Sequence, residues 1–303
     1  MSQHKPVFSI IVPSYNRADL IAKTLKTLQV QNYDSYEIIV VDDGSTDNTE
    51  EIVNGLVDGK TQYVKKQNAE RAAARNYGAR LAKGDYVNFF DSDDLALKNH
   101  LEEAAALIRE KNRPEWFHLG YAWATPEGKV FGKVNSFKNK TLNSYLTTGN
   151  HLSCNGVFIR RDVALSYPFN ETRALSASED YELWVRLAAR FPLHYSNTIT
   201  SWVVDHEMRS VRTIHGEKLI TRLKLLLESL EKDEEVLRYF GKDFRKIKAD
   251  TYSYIALHLA DSRAFKRKSL KYYLQSLRIY PGMAKNKRFY VIFKNLLIKW
   301  QNS

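Results

Sequence analysis

Three carboxylates fall within four residues at Asp91-Ser92-Asp93-Asp94, directly after the apolar pair Phe89-Phe90. Carboxylates held that close repel one another unless a cation or hydrogen-bond donors offset the charge. A hard divalent cation such as Mg²⁺ or Mn²⁺ takes oxygen ligands, keeps some of its water and bridges substrate phosphates. One or two protein carboxylates are therefore enough to hold it. Taken alone, the same residues also suit an exposed acidic turn in which Asp93 or Asp94 caps the next helix. A second acidic pair, Asp42-Asp43, follows the apolar run 36–41. There a carboxylate can accept hydrogen bonds from a ribose or a base, or close an Asx turn with Gly44-Ser45. Tyr15-Asn16 follows a third run, where an aromatic ring can pack on a base. Arg71 and Arg75 stand at i and i+4 and share one helix face. They suit counter-charges to the acids or a solvated face.

Strands must present these groups. Phe8-Ser9-Ile10-Ile11-Val12, ended by Pro13, reads as a strand buried on both faces. Asn16 is expected to cap a helix whose apolar positions are Leu20, Ile21, Leu25 and Leu28. Residues 36–41 read as a second strand. Gly44 to Asp47 supply a turn and cap for a helix carrying Ile52, Val53 and Leu56. A short strand over 62–64, an Ala-rich helix over 71–82 and a strand over 85–90 complete an alternating series. The expected fold class is α/β, a doubly wound and mostly parallel sheet. In such sheets ligands bind at the carboxyl ends of the strands. Further on, the spacing predicts a helix over 95–111, a strand and hairpin over 116–134, and a strand over 156–159. Asp162 is expected to cap a short helix, and 179–190 reads as a strong helix. From about 215 the pattern is almost wholly helical, with Leu219, Ile220, Leu223, Leu226 and Leu227 in one stripe.

The 303 residues, 44% hydrophobic, suffice for one large domain plus a smaller appendage. The single cysteine, Cys154, excludes an internal disulfide and the usual zinc spacings, and fits a reducing compartment. The amino-terminal apolar run is too short for a signal peptide. No run of 18 apolar residues predicts a bilayer span. Eleven basic residues and no acidic one lie between Ser262 and Ser303, so that segment carries the whole formal charge of +11. A neutral body with a polycationic tail attracts phosphate-rich partners. Leu270, Leu274, Leu277 and Tyr280 repeat there at helical spacing, and Val291, Leu296, Leu297 and Trp300 less regularly. The tail reads either as an interfacial helix on anionic lipid or as a helical hairpin packed on the body with a solvated basic face.

Four segments taken together resemble family 2 glycosyltransferases: Phe8 to Arg17, Ile39 to Asp47, Ala74-Arg75-Asn76-Tyr77-Gly78-Ala79 and Phe90 to Asp94. They occur in that family's order and spacing across roughly the first hundred residues. The resemblance implies a GT-A fold, a nucleotide-sugar donor, usually UDP-linked, and inversion at the anomeric carbon. By position, Pro13, Tyr15 and Asp43 would hold the base. Arg75 and Asp91 would serve the base or ribose side, with Asn16 and Ser92 beside them, and Asp93 would ligate Mn²⁺ or Mg²⁺. Ser153-Cys154-Asn155-Gly156 is similar to the donor-sugar loop, which places Asn155 at the donor. Ser178-Glu179-Asp180 with Trp184 resembles the family's acidic motif. Asp180 is then the expected base, Glu179 its partner and Trp184 the support of the acceptor pocket. The alternative for both acids is favourable charge at a helix amino terminus. His206 resembles the histidine after the last core strand and would complete the metal or diphosphate site, with Arg209 or Arg212 nearby. One departure is local: where many members carry a glycine-containing loop, this chain has Ala69-Glu70-Arg71.

The expected organisation is a GT-A catalytic domain over 1–212, binding nucleotide sugar within about 1–112 and acceptor within about 113–212. A helical region follows over 213–303. The acceptor would be a glycan or a polyprenyl-diphosphate-linked glycan in surface polysaccharide synthesis. The expected location is cytoplasmic, peripheral on the inner face of the cytoplasmic membrane. A nucleotidyltransferase is the competing enzyme class, but Pro13-Ser14-Tyr15-Asn16 is not a Gly-rich phosphate loop. A nucleic-acid-binding protein would explain the basic tail and leave the neutral body and the strand-end motifs without a role, so no nucleic-acid partner is expected.

Overall fold

The computed structural model describes residues 6–133, 142–206, 216–260 and 263–298. Two compact units divide the chain: Met1–Leu142, His151–Ser176 and Phe191–Glu207 form the first, and Asn143–Asn150, Ala177–Arg190 and Met208–Ser303 the second.

The first unit runs β1 (Phe8–Ser14), α1 (Ala18–Gln29), β2 (Tyr36–Asp42), α2 (Thr49–Asn54), β3 (Thr61–Lys65), α3 (Glu70–Leu81), β4 (Tyr86–Phe89), β5 (Leu95–Ala96), α4 (His100–Glu110), β6 (Trp116–Ala124), β7 (Val130–Lys133), β8 (Val157–Arg160), α5 (Arg161–Ser166) and β9 (His194–Val204). Its sheet has the order β3-β2-β1-β4-β8-β6-β9-β5, with β7 as a hairpin partner of β6. Strands β1 to β4 pair in parallel, as the alternating pattern predicts. Beyond β4 the sheet is mixed: β8 runs antiparallel to β4 and β6, β9 parallel to β6, and β5 antiparallel to β9.

Strand β1 continues past Pro13, the residue expected to end it. Pairing with β4 stops at Ile11, whose carbonyl accepts Phe90 N at 2.9 Å. Pro13 faces the same side two residues on, where the ladder has already ended, so its missing N–H forfeits no bond. Alternate residues of β1 and β2 (Phe8, Ile10, Val12, Ile38, Val40) bury against Ile21, Leu25 and Leu28 of α1 and Leu101 and Leu107 of α4. On the opposite face α3 lies close enough that a Cβ on Gly78 would meet Ile11 Cγ2 at 2.4 Å. Only glycine allows that approach.

Three local expectations are corrected. Residues 95–96 are a strand, because Leu95 and Ala96 pair with Trp202 and Ser201, and the helix begins at His100. Asn16 does not cap α1: it sits at φ 49° and its Oδ1 accepts Thr46 N at 2.9 Å. The start of α1 is instead satisfied from the β2–α2 loop, where Asp47 Oδ2 accepts Ala18 N and Thr49 Oγ1 accepts Arg17 N. Asp162 lies inside α5, in its first turn, rather than before it, and its carboxylate accepts Arg160 Nε at 2.7 Å.

The second unit holds residues 143–150 and α6 (Glu179–Ala188), α7 (Glu217–Glu231), α8 (Glu234–Phe240), α9 (Phe244–Ala260), α10 (Lys266–Ile279) and α11 (Lys287–Ile298). The predicted stripe of α7 is buried throughout. Helix α10 buries only part of its apolar stripe. Its inward face is Ser269, Tyr272 and Ser276, whose small hydroxyls donate to the α9 carbonyls of Ala256 and Ala249 at 2.7 and 2.6 Å. Leu277 and Tyr280 pack with Ala249, Met283 and Phe289, while Leu270 and Leu274 face solvent. In α11, Leu296 is buried and Val291 exposed. Trp300 and the Leu297 side chain lie outside the described residues.

His100 of α4 and His118 of β6 are buried among these layers. Burial depresses each imidazole pKa to about 3, and His100 pushes His118 the same way. The folded state thus excludes protons that the unfolded chain binds below about 6.5. This contribution to stability is complete above that pH and is lost as pH falls toward about 3. Chemical denaturation of His100→Gln and His118→Gln at pH 7 and pH 5 should show a smaller loss on acidification than the parent chain. An unchanged loss would contradict the assignment.

Candidate active site

Because β3, β2, β1 and β4 run parallel, their carboxyl ends meet at one edge of the sheet, where ligands of such folds bind. Pro13, Tyr15, Asp43 and Asp91 all stand there. Tyr15 is 47% exposed, whereas Asp43 is buried. Asp43 accepts Ala69 N at 3.0 Å and Lys66 Nζ at 2.6 Å, so it ties the β2 end to the β3–α3 loop. Its neighbour Asp42 is wholly buried, accepting Ser45 N at 2.7 Å and Tyr63 Oη at 2.6 Å. Burial, then that bond to Asp42, raises the Tyr63 pKa. Asn16 joins the β1 and β2 loops through Thr46 and through its own N–H, which donates to Ser45 Oγ.

Ligand oxygens of Asp91, Asp93 and Asp94 lie within 4.8 Å of one another. Each carboxylate has a different partner. Asp91 Oδ1 accepts Arg75 Nη2 at 2.8 Å, and that guanidinium, 2% exposed, lies 5.2 Å from the Phe169 ring centroid. Asp94 is buried and uses both oxygens: Oδ2 accepts Asn155 Nδ2 at 2.7 Å and Oδ1 accepts Val204 N at 2.8 Å. Asp93 Oδ2 lies 3.0 Å from His206 Nε2 and 3.7 Å from Arg17 Nε. Ser92 is buried, and its carbonyl accepts Thr24 Oγ1.

Asn155 closes the arrangement. Its Oδ1 accepts Asp91 N at 2.8 Å while its amide nitrogen holds Asp94. Asn88 Nδ2 in turn donates to the carbonyls of Asn155 and Val157, and His118 Nε2 accepts Ser153 N at 3.3 Å. A Cβ on Gly156 would meet Leu119 O at 2.4 Å, so this loop needs glycine. Asn88, His118 and Thr24 were missed in the sequence. Only Asn88 left a signal there, an amide inside an apolar strand. Glu70 takes φ 73°, where glycine is unstrained, and its carboxylate accepts Arg173 and Ser176.

The donor set fits a hard divalent cation. Two adjacent ligands about 2.1 Å from an octahedral ion are separated by roughly 3 Å, the spacing of Asp93 and His206. The carboxylate suits either Mn²⁺ or Mg²⁺, whereas an imidazole nitrogen is the softer donor and favours Mn²⁺ of the two. Arg209 and Arg212 lie outside the described residues.

In the second unit, Asp180 is partly exposed at the start of α6 and Glu179 is buried. Asn150 Nδ2 donates to Asp180 Oδ2 at 2.9 Å, and Tyr181 N to its Oδ1 at 2.7 Å. Arg222 is buried within electrostatic reach of both acids. Burial lowers its pKa, and Tyr254, Glu179 and Asp180 oppose that shift. Trp184 is fully buried, so it acts on an acceptor only through the residues it packs against.

The carboxylate cluster and the buried arginine thus stand at the parallel strand edge, where sheets of this kind bind ligands. The model of glycosyl transferase family 2 matches residues 9–164, and the chain belongs to that family. An uncharacterized glycosyltransferase of Rickettsia felis is 26% identical over 242 residues, 76% of this chain and 40% of that protein. Across the three Rickettsia relatives first matched, the chain spans 19% to 40% of their length. The UDP-Glc:alpha-D-GlcNAc-diphosphoundecaprenol beta-1,3-glucosyltransferase WfgD of Escherichia coli is 30% identical over 182 residues, 59% of this chain and 68% of WfgD. Among solved structures, the mannosyltransferase PcManGT from Pyrobaculum calidifontis, in complex with GDP-Man and Mn²⁺, matches with a TM-score of 0.62 at 18% identity. That match covers 99% of this chain and 89% of PcManGT. The fold is GT-A, mixed α/β with a helical carboxyl-terminal region.

Asn155→Ala would leave Asp94 Oδ2 and Asp91 N without their bonds in a buried setting. A stability loss of about 1–3 kcal/mol is expected in urea titration. A loss indistinguishable from zero would show that this amide does not hold the turn.

Proposed function

We propose that the protein is an inverting hexosyltransferase that moves a sugar from a nucleoside-diphosphate donor, a UDP-sugar in the first instance, to a hydroxyl of a glycan or polyprenyl-diphosphate-linked glycan. The observation that carries this reading is the 3.0 Å approach of His206 to Asp93, beside the Asp91–Arg75 pair. The UDP and lipid-linked specificity of WfgD, and the Mn²⁺ complex of PcManGT, support it.

In this reading Tyr15 packs on the base, with Pro13, Asn16 and Asp43 shaping that end. Arg75 and Asp91 serve the nucleoside, and Ser92 and Asn155 keep the turn and sugar loop in place. Asp93 and His206 would hold Mn²⁺ or Mg²⁺, which supplies positive charge to the diphosphate when bound. Asp180 takes the proton of the acceptor hydroxyl as its oxygen attacks the anomeric carbon, opposite the departing diphosphate. Asn150 keeps one carboxylate oxygen of Asp180 oriented, and Glu179 and Arg222 set the charge around it. The donor part is assigned to about 1–112, the acceptor part to about 113–212, and the helical region to 213–303.

No helix among the described residues is long and apolar enough to cross a membrane. The proposed location is the cytoplasmic face of the membrane, where lipid-linked acceptors of surface polysaccharide present their sugars.

The test is turnover against a panel of nucleotide sugars, with Mn²⁺ and with chelator. Asp180→Asn is expected to lose about 10²- to 10⁴-fold in kcat while binding UDP within about threefold of the parent chain. Near-parental turnover would remove Asp180 from the base role. Indifference to chelation would remove the metal.

A further inference from the structure

The carboxyl-terminal helices carry a surface that the donor site does not explain. Helix α10 is turned with its serines inward, bonded to α9, and with Leu270 and Leu274 40% and 54% exposed. Those leucines, one helical turn apart, line a groove with Arg267, Lys271, Gln275 and Arg278. Arg267, Lys271 and Arg278 form no ion pair with any described residue. Helix α11 repeats the arrangement. Phe289 and Ile292 are buried, while Tyr290, Val291 and Phe293 are 70%, 47% and 53% exposed between Lys287 and Lys294. No acidic residue occurs anywhere from 262 onward.

We infer that the outward faces of α10 and α11 are a docking surface for an anionic lipid bilayer. Leu270 and Leu274 enter the interface between headgroups and acyl chains, and Arg267, Lys271 and Arg278 meet lipid phosphates. Exposed apolar groups flanked by long basic side chains are the pattern of interfacial helices, whose basic heads reach the headgroups while their stems lie along apolar surface. A second copy of the chain would bring two uniformly positive faces together, and their repulsion opposes that pairing. A nucleic acid would neutralise the basic side chains but leave the leucines, Val291 and Phe293 in water. The anionic bilayer satisfies both halves of the surface. This deepens the reading of a lipid-linked acceptor without resting on the identity of the donor.

The full chain should float with phosphatidylcholine vesicles containing phosphatidylglycerol and stay behind with phosphatidylcholine alone. Leu270→Ser/Leu274→Ser removes the apolar anchors without changing charge, and Arg267→Gln/Lys271→Gln/Arg278→Gln removes charge without touching the leucines. Each set should weaken vesicle binding at least roughly tenfold. Melting temperature checks folding, and UDP binding by the same variants reads the donor site separately. Failure of the parent chain to float, or full retention of binding in both variants, overturns the inference. So does duplex DNA binding that is lost with the charges while vesicle binding persists. Absence of UDP binding by the parent chain, with vesicle binding intact, would instead count against the proposed function alone.

Discussion

The crowding of three carboxylates at the end of β4 is the constraint around which the first unit is arranged. Unit charges within 4.8 Å of one another repel by on the order of 3 kcal/mol or more per pair at an effective dielectric near 20. The fold answers with a separate partner for each. Arg75 reaches Asp91 from α3, Asn155 and the backbone of Val204 hold Asp94, and Arg17 and His206 approach Asp93. These partners come from four stretches far apart in sequence. The acidic turn therefore fastens the β8 entry, the end of β9 and the α3 helix to one point.

The three acids separate in kind as a result. Asp94 spends both oxygens on structural donors. Asp91 is matched to a buried guanidinium that lies beside an aromatic ring. Asp93 lies 3.0 Å from an imidazole and 3.7 Å from a guanidinium, and in the proposed function it is the acid that would hold the cation. Asp42 and Asp43 divide similarly: Asp42 serves the loop and Tyr63, while Asp43 bridges to the next strand's loop. Both acids are buried, and they differ in what they tie together.

Much of this was legible in the sequence because its determinants are local. Apolar runs followed by acids mark strand ends, and parallel pairing of β1 to β4 brings those ends together without further information. The expected companionship of Asp93 with His206 is present at 3.0 Å, although 113 residues separate them. What escaped the sequence depends on long-range partners. Asn16 looks like a helix cap, but Thr46 competes for its side chain and Asp47 takes over at α1. Leu95 and Ala96 look like the first turn of a helix until β9 supplies a pairing edge. The apolar stripe of α10 leaves an interfacial face and a packed hairpin equally open, and only the serine hydroxyls bonded to α9 show which side turns inward. Asn155 is marked in the sequence by its resemblance to the donor-sugar loop, but its part in holding the acidic turn is not, since both of its bonds reach residues more than 60 positions away.

The central claim is that Asp93 lies at a site for a metal-bound nucleoside diphosphate, and thermal denaturation with UDP and Mn²⁺ tests it most directly. Ligand at 100 times its dissociation constant stabilises a folded chain by about 2.7 kcal/mol. UDP with Mn²⁺ should therefore raise the melting temperature by several degrees, UDP with chelator should raise it far less, and Asp93→Ala should abolish the rise. A full UDP–Mn²⁺ shift retained in Asp93→Ala, or no shift in the parent chain with any nucleoside diphosphate, would contradict the account.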